Sequence, residues 1–468
     1  MNKIALFLLL IVICFSSCEK KRFFDGEMPL LEFSDDTIHF DTVFTSIGTV
    51  TRELRIKNPY RSWLKIDRIQ LAGGLDSPFR LNVDGVPGTS FDKIEIAPSD
   101  SLFIFIDAII DPNNADNPVM INDSLEFEIN GNIQDVNLIA WGQDIHLLNS
   151  AVIETATWTA GKPYVIYNSM LVDTGHVLTV DEGCEIFFHR GSVMYIAGSL
   201  LVEGSIEKPV IFASDRLEGV YSDVPGQWQG LYFLNGSSGN IIRNASIKNA
   251  VSGLHAGNPG KADPPPELYL QNLTIAHMTV SGISSLGSTI NAENVLVYHC
   301  GNYCAFLAAG GEYNFIHCTM ANRWDYSSRI SPSLYISDYY YDDQQMYNGE
   351  LVKAGFYNSV VSGGRDHEIM IESNNGEQLN VEFVNCLLQV SGLFTYPCDN
   401  CIINIDPVFY SWSEYDFRPD TLSPMVNTGS YYYAEMLPFD LRGNSRVEDE
   451  GPDIGAYEKQ SGENAETK

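Results

Sequence analysis

A short recurring unit between residues 240 and 391 constrains the fold more than any other feature of this chain. Each unit has a polar residue followed three positions later by an aliphatic one. A unit this short cannot bury its own apolar face, so it must stack on its neighbours as a solenoid. Because the units are rich in Val, Ile, Asn and Ser and lack helical periodicity, we predict one coil of a parallel β-helix per unit. The units are Asn244-Ala-Ser-Ile247, Asn272-Leu-Thr-Ile275, Asn294-Val-Leu-Val297, His317-Cys-Thr-Met320, Asn358-Ser-Val-Val361 and Asn385-Cys-Leu-Leu388.

Stacking of these coils predicts columns of equivalent side chains. Parallel strands lie ~4.8 Å apart, so the aliphatic residues are expected to form one inward column. The leading Asn residues are expected to form an amide column at a turn, where Asn tolerates a left-handed backbone. His317 occupies this Asn column and is interpreted as structural, and Cys318 and Cys386 as small core side chains.

Composition limits the number of domains and the ligands. A chain of 468 residues is long enough for more than one core, and its 38 Gly, 24 Tyr and 24 Phe favour an all-β protein. The net charge of −32 excludes nucleic acid as a partner, because phosphate binding requires a basic surface. Two interpretations of the acidity remain open: a solvated surface, or carboxylate clusters that hold Ca²⁺. No other cofactor and no specific metal site are predicted.

The first eighteen residues predict export. A short basic start is followed by an apolar run, Ile4 to Phe15, that is too short to cross a bilayer. Small residues then precede a Cys, which is the layout of a secretory signal peptide over residues 1–17. The string Phe15-Ser-Ser-Cys18 resembles the lipobox of bacterial lipoproteins. This resemblance implies a lipid on Cys18 that anchors the protein to the membrane through residues 18–29.

The residues after Cys18 bear on the location of the protein. In Gram-negative lipoproteins an Asp after the Cys favours retention in the inner membrane, whereas this chain has Glu19. The resemblance therefore implies the outer membrane. The basic string Lys20-Lys-Arg22 departs from the acidic surface-export signals of Bacteroidetes-like lipoproteins, so the periplasmic side and the cell surface both remain open.

Residues 30–146 change to short alternating strands separated by turns such as Asp84-Gly85 and Asn130-Gly131. Seven strands over this length predict a β-sandwich of immunoglobulin type. The order of strands and turns resembles the Hydin-type Ig-like modules of cell-surface proteins, which implies a spacer or docking module. The expected strands are Phe40–Phe44, Arg52–Lys57, Trp63–Ile69, Phe79–Val83, Leu102–Ile106, Leu125–Ile129 and Val136–Trp141.

The solenoid is predicted over residues 147–405, with residues 147–167 as a cap and the coil proper from near Val177. The strings Gly198-Ser-Leu and Lys208-Pro-Val-Ile-Phe-Ala213 resemble the opening coils of right-handed parallel β-helix proteins. Within the later coils, Cys398-Asp-Asn-Cys401 predicts a local disulfide in preference to zinc, since a structural zinc site needs four ligands.

Residues 406–458 carry a further set of motifs. They include Asp406-Pro-Val-Phe409, Phe439-Asp-Leu-Arg-Gly-Asn-Ser-Arg446 and Asp453-Ile-Gly-Ala-Tyr-Glu458. Motif by motif this segment resembles the C-terminal part of the choice-of-anchor Q proteins, which are exported bacterial β-helix proteins. That family is defined by architecture and anchoring, so the resemblance implies no reaction. Residues 459–468 are expected to form a disordered tail.

The long spacing between His317 and Asn358 reflects an insertion rich in Tyr and Asp. Loops that leave a rigid scaffold often carry function, and exposed Tyr beside acidic residues suits stacking on sugars and bonding to their hydroxyls. The alternative is a loop that packs on the flank of the coil. The candidate ligand-binding residues are Tyr335, Asp338, Tyr340, Asp342, Asp343 and Tyr347.

Parallel β-helices also host polysaccharide lyases and hydrolases, so the string Gly364-Arg-Asp-His-Glu368 is a weak catalytic candidate. Arg365 would clamp a substrate carboxylate and His367 would act as base, with Asp366 or Glu368 orienting it. A solvated turn is the favoured interpretation of the same residues.

Together these features predict an all-β chain with an Ig-like sandwich followed by a right-handed parallel β-helix. We expect an outer-membrane lipoprotein that binds a glycan or another cell-surface protein, without evident catalysis. The alternative is a polysaccharide lyase or glycoside hydrolase that acts on extracellular glycans.

Overall fold

A computed structural model describes residues 21–112, 116–342, 344–392, 394–448 and 450–459. The predicted signal peptide, the lipid site Cys18, Asp343 and residues 460–468 lie outside the described residues. The chain divides into two compact units, residues 1–145 and 146–468, which are described separately. The described part contains no helix that is long and apolar enough to cross a membrane.

The first unit is a β-sandwich of two five-stranded sheets. One sheet has the antiparallel order β1-β3-β8-β5-β6, and the other has the order β2-β10-β9-β4-β7, in which only β2 and β10 are parallel. The strands are β1 (Glu32–Phe33), β2 (Thr37–Phe44), β3 (Arg52–Lys57), β4 (Leu64–Leu71), β5 (Phe79–Val83), β6 (Val86–Gly88), β7 (Ser90–Ile96), β8 (Ser101–Ala108), β9 (Val119–Ile129) and β10 (Asn132–Gln143). A single 3-10 turn spans Gly74–Asp76.

Alternation of apolar and polar residues forms this sandwich. In β3, for example, Leu54 and Ile56 are fully buried while their neighbours face solvent. All seven predicted strands are present, and Asp84-Gly85 and Asn130-Gly131 have the positive φ angles of tight hairpin turns. The sequence missed β1, β6 and β7. All three are edge strands, which bury little and therefore carry a weak apolar pattern.

The second unit contains a parallel β-helix of 25 hydrogen-bonded strands. Its elements are β11 (His146–Ile153), β12 (Ala156–Trp158), β13 (Tyr164–Val172), β14 (Val177–Asp181), β15 (Glu185–Phe188), β16 (Val193–Ile196), β17 (Ser199–Glu203), β18 (Val210–Ser214), β19 (Gly230–Phe233), β20 (Asn240–Lys248), β21 (Ser252–Ala256), β22 (Glu267–Met278), β23 (Ser281–Leu286), β24 (Thr289–Cys300), β25 (Tyr303–Ala308), β26 (Gly311–Ile316), β27 (Thr319–Asn322), β28 (Leu334–Ser337), β29 (Tyr339–Tyr341), β30 (Met346–Asn348), β31 (Leu351–Tyr357), β32 (Val360–Gly363), β33 (Ile369–Glu372), β34 (Val381–Val384), β35 (Leu387–Leu388), β36 (Cys398–Asp399), β37 (Ile402–Ile403), β38 (Phe409–Ser411), β39 (Asp416–Pro419) and the short helix α1 (Tyr431–Met436), with a 3-10 turn at Gly219–Tyr221. The strands β29 and β30 form a separate antiparallel hairpin, as do β38 and β39.

Each coil places strand segments on three faces. Face 1 includes β14, β17 and β26, face 2 includes β15, β18 and β27, and face 3 includes β16, β19 and β28. Long strands such as β22 and β24 bend between faces 1 and 2. We call the bend between faces 1 and 2 the first turn, and the connection between faces 2 and 3 the second turn. Inward side chains of all three faces form one continuous apolar core.

The repeat unit predicted from the sequence forms face 2 and the first turn. The aliphatic residues Ile247, Ile275, Val297, Met320, Val361 and Leu388 pair in register and are buried, which confirms the inward column. The leading residues Asn244, Asn272, Asn294, His317, Asn358 and Asn385 all have φ between 46° and 56°. Their amides bond from coil to coil, as from Asn272 Nδ2 to Asn244 Oδ1 (3.0 Å) and from Asn294 Nδ2 to Asn272 Oδ1 (2.9 Å). The predicted Asn column is therefore confirmed.

The predicted cap over residues 147–167 is wrong, because these residues already belong to the coil. His146 pairs with Tyr164 and Ile153 pairs with Val172 in parallel, and β13 continues the ladder onto β15 and β16. The strand β11 ends the sheet and is mostly exposed or half-buried, so its apolar pattern is too weak to read as a coil strand.

Residues 406–458 fold back over the outer side of face 2. A second core joins Leu296, Val360 and Leu387 of that face to Phe409, Phe417 and Ile454 of this segment. Its final motif bonds to the first turn: Gly455 N donates to Asn358 O (2.8 Å), and Ala456 N donates to Thr319 Oγ1 (2.9 Å). Arg446, which is fully buried, donates to Asn294 Oδ1 (2.9 Å) and pairs with Glu458 (3.2 Å). The segment thus buries Asn294, His317 and Asn358 of the Asn column.

Candidate functional site

The second turn opens into a cavity of about 1110 Å³, which we call the groove. Three parts of the second unit form it: the connection after β27, the connection after β32, and the tip of the β38–β39 hairpin. Because each part is held on the rigid coil or packed against it, the groove is a preformed site. Its lining residues are His299, Arg323, Trp324, Asp325, Ser327, Ser328, Arg329, Gly364, Arg365, Trp412, Ser413 and Tyr415.

Aromatic rings provide the walls of the groove. The Arg323 guanidinium lies over the Trp412 ring, 3.9 Å from its centroid, and so makes a cation–π contact. On the other side, Trp324 contacts the ring of Tyr326 (5.1 Å) and that of His299 (5.0 Å). Trp324 and Trp412 are both half-buried, so part of each ring remains open to a ligand. Half-exposed rings with polar groups at their rims are typical of ligand sites.

Two buried histidines lie behind this wall in a second column. His277 Nδ1 and His299 Nδ1 are 2.7 Å apart, and both side chains are only 3% exposed. His299 Nε2 lies 2.9 Å from Asp325 Oδ1, and His277 Nε2 lies 3.5 Å from Asp223 Oδ1. If His277 donates from Nδ1 and His299 donates from Nε2 to Asp325, both short contacts are satisfied with two neutral rings.

Burial and hydrogen bonding shift the pKa values of His277 and Asp325. Desolvation, reinforced by the neighbouring His299, lowers the pKa of His277 to about 4. The hydrogen bond from His299 lowers the pKa of Asp325, whose side chain is 77% exposed. Asp325 is therefore an ionised carboxylate in the groove, held in one orientation by a buried imidazole.

A buried ion pair fixes the two loops that line the groove. Glu368 is fully buried and pairs with Arg329, and it also accepts from Ser333 Oγ (2.7 Å) and Arg365 N (2.8 Å). A Cβ on Gly363 would lie 2.2 Å from Glu368 Oε1, so the chain needs glycine at this close approach. Glu368 therefore holds the loops together, and its recorded bonds do not include His367, the base that it was predicted to orient.

The other three predicted catalytic residues, Arg365, Asp366 and His367, lie in different places. Arg365 lines the groove, and its Nη1 donates to Arg329 O (2.8 Å). Asp366 lines an adjoining cavity of about 430 Å³ together with Arg323, Trp412 and Asp406. His367 accepts at Nδ1 from Ser391 N (3.0 Å) and is not a lining residue of either cavity. The structure thus brings Arg365, but not His367, to the candidate site.

The predicted Tyr/Asp loop packs on the flank of the coil, as the alternative interpretation expected. Tyr335 lies in β28 and donates to Glu372 Oε2 (2.8 Å), and Asp338 accepts from Asn374 N (2.8 Å). Tyr340 and Tyr347 face each other across the β29–β30 hairpin (6.4 Å). Asp342 accepts from two backbone N–H groups of the hairpin turn. These carboxylates are occupied by local bonds, and none of these residues lines the groove.

Cys398 and Cys401 are free thiols in the structure, in contrast to the predicted disulfide. Cys401 instead follows Cys386 in the next coil, since Leu387 pairs with Ile402. Hydrogen bonds from Cys386 and Cys398 lower the pKa of the Cys401 thiol. The sequence pattern predicts Cys386 as a core side chain and does not indicate that it lies near Cys398 and Cys401.

Metal binding has no candidate centre within the described ranges. There, no three His, Cys, Asp or Glu side chains converge to hold an ion. The Ca²⁺ interpretation of the acidic composition therefore has no assigned residues.

The sequence analysis missed the groove residues His299, Arg323, Trp324, Trp412 and Tyr415. A signal for the histidines was present: Asn249, His277 and His299 each follow a repeat unit's first residue by five positions and share left-handed φ angles of 51° to 68°. Trp412 and Tyr415 are brought to the groove only by the folding back of the C-terminal segment. No local pattern predicts that contact.

The strand pairing and the groove define a parallel β-helix protein with an N-terminal β-sandwich and an aromatic, Arg-lined groove. No family model and no curated protein matches the chain. A family 123 glycoside hydrolase from Clostridium perfringens is similar over 27% of this chain and 31% of its own, with 7% identity and a TM-score of 0.18. The ASH/PapD-like domain of human CEP192 is similar over 28% of this chain and 94% of its own, with 13% identity and a TM-score of 0.17. Likeness at these scores carries no argument about function.

Proposed function

We propose that the chain is an outer-membrane lipoprotein, anchored by a lipid on Cys18, that binds a glycan in the groove. One observation carries this proposal: two half-buried Trp rings and the guanidinium groups of Arg323 and Arg365 line the same open cavity. Sugars present flat C–H faces that pack on aromatic rings, and hydroxyls that need polar partners at the ring rims. The groove supplies both kinds of group side by side. A rigid coil preorganises them and reduces the entropy cost of binding.

The proposal is tested by glycan-array binding followed by calorimetry, with the full chain after its signal peptide. Trp412→Ala and Trp324→Ala are each expected to weaken glycan affinity about 10- to 100-fold, because a buried aromatic contact contributes ~1–3 kcal/mol. Tyr432→Ala is the matched control, since Tyr432 is a 67% exposed aromatic residue outside the groove. Unchanged affinity in both Trp variants would refute the groove as the binding site.

A polysaccharide lyase or glycoside hydrolase is the second candidate, and the His299–Asp325 contact favours it. Asp325 is the ionised carboxylate that would touch a substrate as general base, and His299 would position it. Turnover of a bound glycan that is lost in Asp325→Asn, with binding retained, would establish the enzyme. Binding without turnover by the wild-type chain would leave the binding function alone.

The anchor is tested separately by metabolic labelling with palmitate in a Gram-negative host. The wild-type chain is expected to incorporate label and to fractionate with the outer membrane, whereas Cys18→Ala is expected to do neither. Labelling of the Cys18→Ala variant would refute the assignment of the lipid site.

A further inference from the structure

Building on the proposed function, we infer that the ligand is an acidic glycan whose carboxylate or sulfate group is bound by Arg323 and Arg365. The two guanidinium groups belong to different connections of the coil, after β27 and after β32, and they face the same groove. A planar guanidinium offers paired N–H donors that match the two oxygens of a carboxylate or sulfate.

The charge of the groove is opposite in sign to that of the chain. The chain has 60 acidic and 28 basic residues, so an average surface patch repels anions. The groove is lined by Arg323, Arg329 and Arg365, but by only one carboxylate, Asp325. Charges separated by more than about 8 Å are largely screened at physiological salt, so these nearby arginines dominate the field that a ligand meets.

Pairing leaves two of the three arginines available. Arg329 is neutralised by Glu368, with side chains only 4% and 0% exposed, so it serves the scaffold. Arg323 and Arg365 have no carboxylate within 4.0 Å among the described residues. Asp325 is already bonded to His299. An incoming anion would therefore meet two guanidinium groups that have no direct ion-pair partner, although Arg323 also feels the charge of Asp406.

The N–H groups of Arg365 and Arg323 are available to a hydrogen-bond acceptor from a ligand. Arg365 Nε is buried and has no hydrogen-bond partner within the described chain, and its recorded side-chain bond is the one from Nη1 to Arg329 O. An unpaired buried donor on a charged group is unfavourable. The Arg323 guanidinium lies over the Trp412 ring and the residue is exposed, so its N–H groups are accessible to a ligand. Both observations fit a ligand that accepts hydrogen bonds.

The adjoining cavity of about 430 Å³ indicates how a bound glycan would be oriented. It continues from Arg323 and Trp412 toward Asp366 and Asp406. Carboxylates accept hydrogen bonds from sugar hydroxyls but repel a second acidic group. We therefore place the acidic sugar at the Arg365 end and a neutral, hydroxyl-rich sugar at the Asp366 end. This order predicts an acidic residue flanked by a neutral one rather than a uniform polyanion.

The test uses an array of neutral, uronate-containing, sialylated and sulfated oligosaccharides, each acidic member paired with its carboxyl-reduced or desulfated form. We expect binding to acidic members and a loss of at least tenfold in affinity for their neutral counterparts. The carboxyl-reduced and desulfated arms show which anion is recognised. Equal binding of both members of a pair would overturn the inference and keep the glycan function. Binding to no member of the array would overturn both.

Single arginine substitutions test whether glycan affinity depends on the charge of the groove or on the net charge of the chain. Arg365→Gln and Arg323→Gln are each expected to weaken acidic-glycan affinity about 10- to 100-fold, and to weaken the affinity for the neutral counterpart by a smaller factor, because only the acidic member loses a charge-assisted hydrogen bond. Arg190→Gln removes the same charge at an exposed turn outside the groove and is expected to change nothing. Because Arg323 is exposed at the groove edge, its variant remains informative if Arg365→Gln lowers stability. Equal losses in all three variants, or none in the groove variants, would overturn the inference.

Discussion

The first and second turns of the coil flank the same repeat unit, but they differ in what surrounds them. At the first turn, the Asn column is covered by the C-terminal segment, and its amides are bonded to each other, to Arg446 and to backbone groups. At the second turn, His277 and His299 bond to each other but reach exposed carboxylates, and the groove opens beside them. Both turns use left-handed backbone. The difference follows from the C-terminal segment, which packs closely on the first turn but leaves a cavity where its β38–β39 hairpin meets the second turn.

The largest effect is expected where the first turn is sealed. Arg446→Ala removes a fully buried guanidinium and leaves Glu458 buried without its cation, which costs about 3–5 kcal/mol of unfolding free energy. Arg442→Ala, four residues earlier and exposed, is the matched control and is expected to have little effect. Urea denaturation measures both. If the Arg446 variant is as stable as the control, the seal does not stabilise the coil.

The next effect is the pH dependence of stability, which compares His277 at the second turn with His317 in the Asn column. His277 has a pKa lowered to about 4, so the unfolded chain binds more protons than the folded chain between pH 4 and about 6.5. Its contribution to stability is therefore complete above pH 6.5 and is lost as the pH falls toward 4, by up to about 3 kcal/mol. His277→Asn, which places the residue found at Asn249 of the same column, is expected to flatten this part of the stability profile.

His317→Asn is the counterpart in the sealed column. Burial and the nearby Arg446 lower the pKa of His317 well below its ordinary value, so this variant is also expected to reduce acid sensitivity. Glycan affinity at pH 5 and pH 7 then distinguishes the turns, because only His277→Asn changes a residue that contacts the groove residues His299 and Tyr415. A change in glycan affinity with His317→Asn alone would reverse the proposed division of roles.

A smaller effect tests the left-handed backbone of the Asn column. Asn272→Ala loses the bonds to Asn244 and Asn294 and replaces Asn, which tolerates a left-handed backbone, with Ala, which is less favourable at φ 56°, at a cost of about 2–3 kcal/mol. Asn272→Gly loses the same bonds without the backbone strain and is expected to cost about 1 kcal/mol less. Thermal unfolding of the two variants gives the comparison. A Gly variant less stable than the Ala variant would mean that backbone strain is not the deciding factor.

The parts of this fold that depend on local pattern were predictable. The aliphatic column, the Asn column and the seven principal strands of the sandwich follow from side-chain period and turn residues. The groove depends on contacts between distant segments: Trp412 meets Arg323, and Glu368 meets Arg329, far apart in sequence. No periodic pattern specifies such pairs. Tyr and Asp residues in the insertion drew attention because of their composition, yet their hydrogen bonds are made within the flank of the coil.

The smallest effect is expected at that insertion. Tyr340→Ala and Tyr347→Ala remove the facing rings of the β29–β30 hairpin, which lies apart from the residues that line the groove. Glycan affinity is expected to change less than twofold, whereas Trp324→Ala, in the same inserted region but on the groove wall, is expected to weaken it at least tenfold. Calorimetry with one glycan and all three variants makes the comparison. A tenfold loss in the hairpin variants would move the binding site from the second turn to the hairpin, and the composition of the insertion would then have been the better guide.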